Sequence, residues 1–167
     1  MKLYFLRHGL AGQHGDPKYK NDSLRPLTAD GRKNMHLEGL GMRALGLTFD
    51  AVLSSPYLRA RQTAEIVAQA YKIKNKAIHF TDTLLPPASI EKLLQEVHAC
   101  FPKSKDVLLV GHEPHLTQMI SCLLKSNKPL AIDFKKGGLC CLSIDGASKN
   151  ASLIWLLTPM QLTLIKE

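Results

Sequence analysis

Short apolar runs alternate with helical patterns along most of this 167-residue chain, and this alternation constrains the fold more than any other feature. Four runs have the length and composition of strands, namely 2–6, 50–54, 77–80 and 106–110. Helices are expected between and after them, at 28–44, 56–71, 89–101 and 114–125, and Thr28 and Ser89 are expected to cap two of them. Strands that alternate with helices predict an α/β fold, a three-layer sandwich in which helices cover both faces of a mostly parallel sheet.

The last third of the chain is expected to close the sheet with an antiparallel hairpin. Two apolar runs, 139–144 and 152–157, are joined through the turn-like pair Asp145-Gly146. No repeat, low-complexity tract or linker interrupts the pattern, so residues 1–167 are expected to form a single domain. With 45% hydrophobic and 22% charged residues, the composition excludes an intrinsically disordered chain.

The cysteines and the hydropathy pattern predict a cytoplasmic protein. Cys100, Cys122, Cys140 and Cys141 contain no C-x-x-C pair, and reduced, buried thiols are expected for all four. Adjacent residues on a strand point to opposite faces, so Cys140 and Cys141 should do the same. Uncharged apolar stretches such as 116–124 are far shorter than the ~20 residues that span a bilayer, and no signal-peptide core is recognised. No contact with a membrane is expected.

The net charge of +8 indicates an anionic partner. Composition alone is compatible with nucleic acid, anionic lipid or a phosphorylated substrate. Nucleic acid is not expected, because no aromatic residues interleave with the basic ones and no DNA-reading helix motif is present. Lys72, Lys74 and Lys76 are interpreted as cations at a helix end, and Lys135-Lys136 as a pair before a Gly-Gly turn.

Three of the expected strands lead directly into residues that bind phosphate well. The segments that follow them are Arg7-His8-Gly9, Ser54-Ser55-Pro56 up to Arg59, and Gly111-His112-Glu113. The carboxyl ends of parallel strands meet at one edge of a sheet, where α/β proteins bind ligands. Arginine supplies forked, permanently charged donors, and a histidine nitrogen can donate a proton or attack phosphorus. The pattern therefore predicts a site for a dianionic phosphoryl group.

Taken together, these motifs resemble the histidine phosphatase superfamily. The resemblance rests on Leu6-Arg7-His8-Gly9, on residues 54–64 and on Val110-Gly111-His112-Glu113-Pro114, in this order along the chain. The short chain and the segment Arg25-Pro26-Leu27-Thr28 are most similar to the SixA branch, the phosphohistidine phosphatases, which have a phosphoglycerate mutase-like fold. The resemblance implies that His8 is the nucleophile and that Arg7, Arg59 and His112 hold the phosphate.

The chemistry of the residues agrees with these implied roles. His8 must be neutral to attack phosphorus, and nearby guanidinium groups lower its pKa by like-charge repulsion. The same cations stabilise the charge that spreads over the equatorial phosphoryl oxygens during transfer. Gly9 is expected to leave room for the phosphate beside the backbone, and Arg25 is a candidate for extending the pocket. The second ring nitrogen of His8 needs an acceptor, for which a backbone carbonyl is expected.

The proton donor for the leaving group stays open at this point. Glu113 follows the second histidine, where related acid phosphatases carry Asp, but it can also serve only to complement the dipole of the next helix. Glu91 and Glu96 lie in the region that mutase-like relatives use for this purpose. A phosphohistidine substrate needs less help, because its imidazole departs once it is protonated. Ser55 is expected to cap the helix that follows it rather than take part in catalysis.

The expected function is that of a metal-independent phosphatase without a cofactor. His112 and His115 could ligate a metal, but the zincin pattern needs its second histidine where Leu116 stands. The expected substrate is phosphohistidine on a signalling or phosphotransfer protein, and the chain is expected to act as a monomer or weak oligomer. Two alternatives remain, a phosphatase or mutase acting on small phosphate esters and a non-catalytic phosphate-binding regulatory module.

Overall fold

The computed structural model describes residues 1–73, 77–145 and 150–165. Within these ranges the chain forms six strands and five helices. In chain order they are β1 (Lys2–Arg7), α1 (Ala29–Ala44), β2 (Ala51–Ser54), α2 (Leu58–Ala70), β3 (Ile78–Phe80), α3 (Ile90–Cys100), β4 (Asp106–Gly111), α4 (His115–Leu123), β5 (Leu139–Ile144), β6 (Ala151–Leu157) and α5 (Pro159–Leu164). Two 3-10 turns cover Asp22–Leu24 and Asp82–Leu84.

The six strands form one sheet in the order β3-β2-β4-β1-β5-β6. The first four of these run parallel to one another, whereas β5 pairs antiparallel with β1 and β6 antiparallel with β5. The predicted α/β fold with a mostly parallel sheet is confirmed, and so is the closing hairpin. Gly146 of its expected turn, like Lys74 and Lys76, lies outside the described residues. Since β2, β4 and β1 are parallel neighbours, their carboxyl ends lie side by side.

Two apolar cores lie on opposite faces of the sheet, which gives the three layers. Side chains of α3 and α4 belong to one core, and side chains of α1, α2 and α5 belong to the other. Alternate residues of β1 supply the two cores, since Leu3 and Phe5 enter the first, and Tyr4 and Leu6 the second. Helices therefore pack against both sides of the strand that leads into the Arg-His-Gly motif.

The helix starts follow local caps in two of the three predicted cases. The Thr28 hydroxyl accepts a hydrogen bond from the Gly31 amide at 3.0 Å, and the Ser89 hydroxyl accepts one from the Lys92 amide at 3.4 Å. The prediction that Ser55 caps α2 is wrong, because the cap position is Tyr57 and the helix begins at Leu58. The Ser55 hydroxyl contacts a histidine of the site instead.

The prediction for the cysteines is correct for two of them. Cys140 and Cys141 are buried and point into opposite cores. Cys100 and Cys122 are exposed, so their expected burial is wrong. Cys100 is the last residue of α3 and Cys122 lies on the outward side of α4, positions that the pattern of residue types did not distinguish from buried ones. Across the described ranges, no helix has both the length and the apolar composition needed to cross a membrane.

Candidate active site

The residues at the three strand ends meet at the carboxyl edge of the sheet. Arg7 ends β1 opposite Gly111 of β4, and the amide of His8 donates to the Gly111 carbonyl at 3.0 Å. The rings of His8 and His112 lie 5.1 Å apart, centroid to centroid. Arg59, in the first turn of α2, places its Nε 3.3 Å from His8 Nε2. The structure thus brings His8, His112 and Arg59 together, with Arg7 at the base of the same site.

His8 is held as a neutral ring with its lone pair on Nε2. Its side chain is buried, and Nδ1 donates to the Gly9 carbonyl at 2.8 Å, because a carbonyl oxygen can only accept. Nε2 is therefore the unprotonated nitrogen, and it faces Arg59. Burial holds the pKa of His8 well below its usual range, and His112, Arg59 and Arg7 add repulsion. The expected backbone acceptor is confirmed, but burial lowers the pKa more than the arginines do.

A serine hydroxyl orients His112. Ser55 Oγ lies 2.7 Å from His112 Nε2 and accepts a hydrogen bond from the Tyr57 amide at 3.3 Å. We assign the hydroxyl proton to the bond with Nε2, since the hydroxyl already accepts from Tyr57, and this assignment places the ring proton of His112 on Nδ1. Burial and the charge of Arg59 lower the pKa of His112 to about 3, so the ring is neutral. Its Nδ1 is buried and has no partner among the described residues, which makes it a donor available to an anion.

Asp22, which the sequence analysis missed, ties two arginines of the site together. One carboxylate oxygen lies 2.9 Å from Arg59 Nη2 and the other 2.9 Å from Arg25 Nε. The Asp22 carbonyl also accepts from Arg59 Nη1 at 2.8 Å. Burial raises the pKa of this carboxyl, but hydrogen bonds from His14 and Arg25 and the charge of Arg59 outweigh burial and bring it to about 2. The available signal in the sequence was an acidic residue three positions before a candidate arginine.

Arg25 belongs to the same cluster of charges. Its side chain is buried, and Nη1 donates to the Gly12 carbonyl at 2.6 Å. It joins the site through Asp22 rather than through a contact with His8. Arg61, by contrast, lies on the surface of α2 with its guanidinium 4.8 Å from the ring of Phe80, and it is not part of this cluster.

Arg7 is held by the loop before β5. Its Nη1 donates to the Phe134 carbonyl at 2.6 Å. Burial lowers the pKa of the guanidinium, which nevertheless stays charged at neutral pH. Its Nε is buried and has no partner in the described part of the chain. Arg7 Nε and His112 Nδ1 are thus two buried donors that an anion would satisfy.

Gly9 is packed closely against α1. A Cβ at this position would lie 2.6 Å from Met35 Cγ, so the missing side chain makes room for α1, and the expected room for a phosphate beside Gly9 stays a prediction. The Gly9 amide donates to Thr63 Oγ1 of α2 at 3.1 Å. Gly9 therefore locks the segment carrying His8 against both helices.

Both oxygens of the Glu113 carboxylate are held by the first turn of α4. They accept hydrogen bonds from the Thr117 amide at 3.0 Å and the Thr117 hydroxyl at 2.6 Å. This is the contact expected of a residue that stabilises a helix N-terminus. Its charge still acts on Arg7, whose pKa it raises. Glu113 lies beside the site but is turned toward its own helix.

The other candidate acids make different contacts. The Glu96 carboxylate accepts hydrogen bonds from the hydroxyls of Thr81 and Thr83 and lies 2.7 Å from His79. Glu91 lies beside Cys122 on the outer face of the helices. Among the described residues, no group of three or more His, Cys, Asp or Glu side chains is arranged to hold a metal ion.

The arrangement is suited to nitrogen attack on a bound anion. An unprotonated His8 nitrogen lies among guanidinium donors that two carbonyls and one carboxylate hold in place. Preplaced donors of this kind stabilise charge that develops on oxygen without having to reorganise.

Comparison with known proteins gives four findings of direct relevance. A family model described as the histidine phosphatase superfamily (branch 1) matches residues 3–84. The chain is 36% identical over 141 residues to an uncharacterized protein of Picosynechococcus sp., covering 83% of this chain and 82% of that protein. It is 25% identical over 167 residues to the phosphohistidine phosphatase SixA of Escherichia coli (strain K12), covering 99% of each. A solved structure of the protein histidine phosphatase SixA complexed with tungstate matches with a TM-score of 0.82 and 24% identity, over 97% of this chain and 99% of that one.

Proposed function

The chain belongs to the histidine phosphatase superfamily, and we propose that it hydrolyses phosphohistidine on a protein through a covalent intermediate on His8. The observation that carries this proposal is the state of His8. Its ring is neutral, its tautomer is fixed by the Gly9 carbonyl, and its unprotonated Nε2 accepts a hydrogen bond from Arg59 Nε at 3.3 Å, which a bound phosphoryl group would take over. A non-catalytic phosphate-binding module would not need an unprotonated nitrogen at the centre of its donors.

In the first step, Arg7, Arg59 and His112 hold the phosphoryl oxygens while His8 Nε2 attacks phosphorus. The nitrogen–phosphorus bond to His8 forms as the bond to the leaving group breaks, and the leaving group takes up a proton. The His8 ring then carries positive charge, which its Nδ1–H···O hydrogen bond to Gly9 stabilises. In the second step, water attacks phosphorus, the bond to His8 breaks, and inorganic phosphate leaves the neutral ring.

The leaving group decides how much acid catalysis the first step needs. The imidazole of phosphohistidine departs readily once its nitrogen is protonated, whereas an alkoxide requires a donor in the transition state. For an alkoxide we assign the donor role to Glu113, and this role requires the carboxylate to take up a proton and to release Thr117 before transfer. An imidazole leaving group avoids that cost, which favours phosphohistidine over alkyl phosphate esters. Similarity to SixA over the whole chain supports the same substrate class.

We also propose that the protein acts without a metal, as a single domain, in the cytosol and as a monomer or weak oligomer. The side chains to which we assign the phosphoryl oxygens, Arg7, Arg59 and His112, all donate through nitrogen, and turnover is expected without an added metal. The six described strands share one sheet, which supports one domain over residues 1–167. The four cysteines are free thiols, in keeping with the cytosol, and a monomer or weak oligomer suffices because one chain supplies the site.

The covalent intermediate provides the decisive experiment. A histidine phosphocarrier domain labelled with radioactive phosphate is mixed with the protein and quenched in base. Acid-labile label on the wild-type protein is expected, with none on His8→Ala. His36→Ala, which changes an exposed histidine of α1, serves as the control and should be labelled like the wild type. Label that persists on His8→Ala would overturn the role of His8.

A second measurement tests the substrate. Values of kcat/KM are compared for the phosphorylated carrier domain, phosphoserine, a sugar phosphate and phosphoglycerate, with and without chelator. The proposal expects a preference of at least ~100-fold for the phosphorylated carrier, equivalent to about 2.7 kcal/mol of transition-state stabilisation. A preference for small esters would establish the alternative function, a small-ester phosphatase or mutase.

A further inference from the structure

The loop before β5 is fastened to Arg7 by three hydrogen bonds. The Phe134 carbonyl accepts from Arg7 Nη1 at 2.6 Å, the Gly137 amide donates to the Arg7 carbonyl at 3.1 Å, and the Arg7 amide donates to the Gly138 carbonyl at 3.1 Å. Lys136 lies in the middle of this loop. Its backbone is therefore fixed relative to the phosphate-binding arginine at the end of β1.

The conformation of the loop is set by the residue that follows Lys136. Gly137 has a φ of +85°, a backbone region that side chains disfavour. A Cβ at Gly137 would also collide with the carboxyl group of Glu38 on α1. Only glycine fits at this position, so the tight turn after Lys136 depends on Gly137.

The two neighbouring lysines of the loop differ in their surroundings. Lys135 is mostly exposed and pairs with Asp133 at 2.6 Å. Lys136 is half-buried and forms no ion pair within the described part of the chain. Burial and repulsion from Arg7, Arg25 and Arg59 lower its pKa, which means that all three guanidinium groups act on its ammonium. The charged ammonium is unfavourable in this position unless an anion binds beside it.

The balance of charge around the site identifies that anion. Arg7, Arg25, Arg59 and Lys136 are four cations, and the carboxylates of Asp22 and Glu113 oppose them. Asp133 also acts on Arg7, but it pairs with Lys135 at 2.6 Å, so the charges of these two residues cancel. The cations exceed the carboxylates by two, which matches a phosphoryl dianion. Without Lys136 the excess would be one.

We propose that Lys136 is a substrate-binding residue that donates a hydrogen bond to an oxygen of the bound phosphoryl group and makes the site selective for its dianion. The inference rests on the proposed function in taking phosphate as the ligand, and it adds a fourth cation to the three arginines. The interpretation of Lys135-Lys136 as a surface pair before a turn therefore holds for Lys135 alone. A lysine is suited to this place, because a point charge on a flexible stem can reach oxygen atoms that the rigid guanidinium forks leave unpaired.

The binding of inorganic phosphate, measured by titration calorimetry at low salt, tests this role without turnover. Lys136→Met is expected to weaken phosphate binding by about tenfold, the typical contribution of one charge-assisted hydrogen bond. Lys136→Arg should recover most of the affinity. Lys135→Met, which removes a charge one position away, should bind phosphate within about twofold of the wild type. Circular dichroism spectra identify any variant that is not folded, and Lys136→Gln then replaces Lys136→Met.

A spectroscopic readout separates direct contact from a structural role. The pKa of the Lys136 ammonium, followed by NMR through its Cε and Nζ, should rise when phosphate is added. Unchanged phosphate affinity in Lys136→Met, or an unchanged Lys136 pKa in saturating phosphate, would overturn the inference. Neither measurement needs the phosphoenzyme. Weakened phosphate binding in Lys136→Met together with an unlabelled His8 would therefore reject the proposed mechanism and retain Lys136 as an anion-binding residue.

Discussion

The Asp22 carboxylate holds the Arg59 guanidinium at 2.9 Å, across 37 residues of chain. The same guanidinium places Nε 3.3 Å from His8 Nε2, so the nucleophile and its nearest cation are aligned through a residue outside the three strand-end motifs. The second oxygen of Asp22 binds Arg25, and one negative charge thereby orients two positive ones. The two arginines and Asp22 together have a net charge of +1, which can interact with the substrate.

Replacing Asp22 by alanine should therefore lower activity through Arg59. The loss of charge-assisted hydrogen bonds to a buried guanidinium predicts a fall in kcat/KM of about 10- to 100-fold. Asp16→Ala is the matched control, because Asp16 lies in the same loop and its carboxylate accepts a hydrogen bond from the Lys18 amide rather than from an arginine of the site. Steady-state kinetics on a phosphorylated carrier domain provide the measurement. Equal losses in the two variants would mean that Asp22 only shapes the loop.

A second prediction concerns the hydroxyl that orients His112. Ser55→Ala removes the 2.7 Å contact to Nε2, and a fall in kcat of about tenfold is expected because the ring loses its fixed tautomer. Ser54→Ala is the control, since the Ser54 hydroxyl is equally buried but donates to the Ser55 carbonyl. The ring nitrogen shifts of His112 report the tautomer by NMR. If these shifts are the same in Ser55→Ala and the wild type, Ser55 does not set the tautomer.

The sequence predicted the residues whose roles follow from their near neighbours in the chain, and it missed a residue whose partner is distant in the chain. Arg7, His8 and His112 stand next to strands, and the rule that parallel strands present their carboxyl ends together was sufficient to group them. Thr28 and Ser89 were recognisable as caps because a cap acts within three residues. Asp22 lies in a polar loop without periodicity, and its partner Arg59 is distant in the chain, so composition and spacing gave no reason to pair them.

In two further places the structure differs from the prediction, although a local sequence pattern was present. Ser55 has the residue type of a helix cap, but its hydroxyl contacts a buried histidine instead. This contact forms only when distant parts of the chain pack together. Helix α5 was not predicted, although Thr158 and Gln161 form a capping box that starts it. Its six residues are too few for a helical period to show in the sequence.

A third prediction tests Glu113 as the proton donor. In Glu113→Gln the loss of kcat/KM should grow as the leaving group becomes more basic, because only a poor leaving group needs the proton in the transition state. We expect less than about threefold loss on phosphohistidine and at least ~30-fold on an alkyl phosphate, equivalent to about 2 kcal/mol. A series of aryl and alkyl phosphates provides the measurement. A uniform loss across the series would leave Glu113 with the helix-stabilising role that its contacts to Thr117 show.

The last prediction concerns Glu38, a buried acid of α1 that lies against Gly137 of the loop carrying Lys136. Its Oε2 has no partner among the described residues, and burial raises the pKa of the carboxyl to about 8. A glutamic acid in the unfolded chain loses its proton near its ordinary pKa of 4.5. The folded state therefore binds more protons between these two values, and the free energy of unfolding must fall as the pH rises through this window.

The contribution of Glu38 is complete below the unfolded pKa and is lost as the pH approaches 8, a change of up to roughly 4 kcal/mol. Glu38→Gln cannot ionise, so its free energy of unfolding relative to the wild type should rise between pH 5 and pH 8.5. Urea unfolding at both pH values measures this difference. Asp30→Asn, which changes an exposed carboxyl of the same helix, should show a difference that varies by less than about 0.5 kcal/mol between the two pH values. If the Glu38→Gln difference is equally constant, the carboxyl is ionised in the folded protein, and burial against Gly137 does not control its charge.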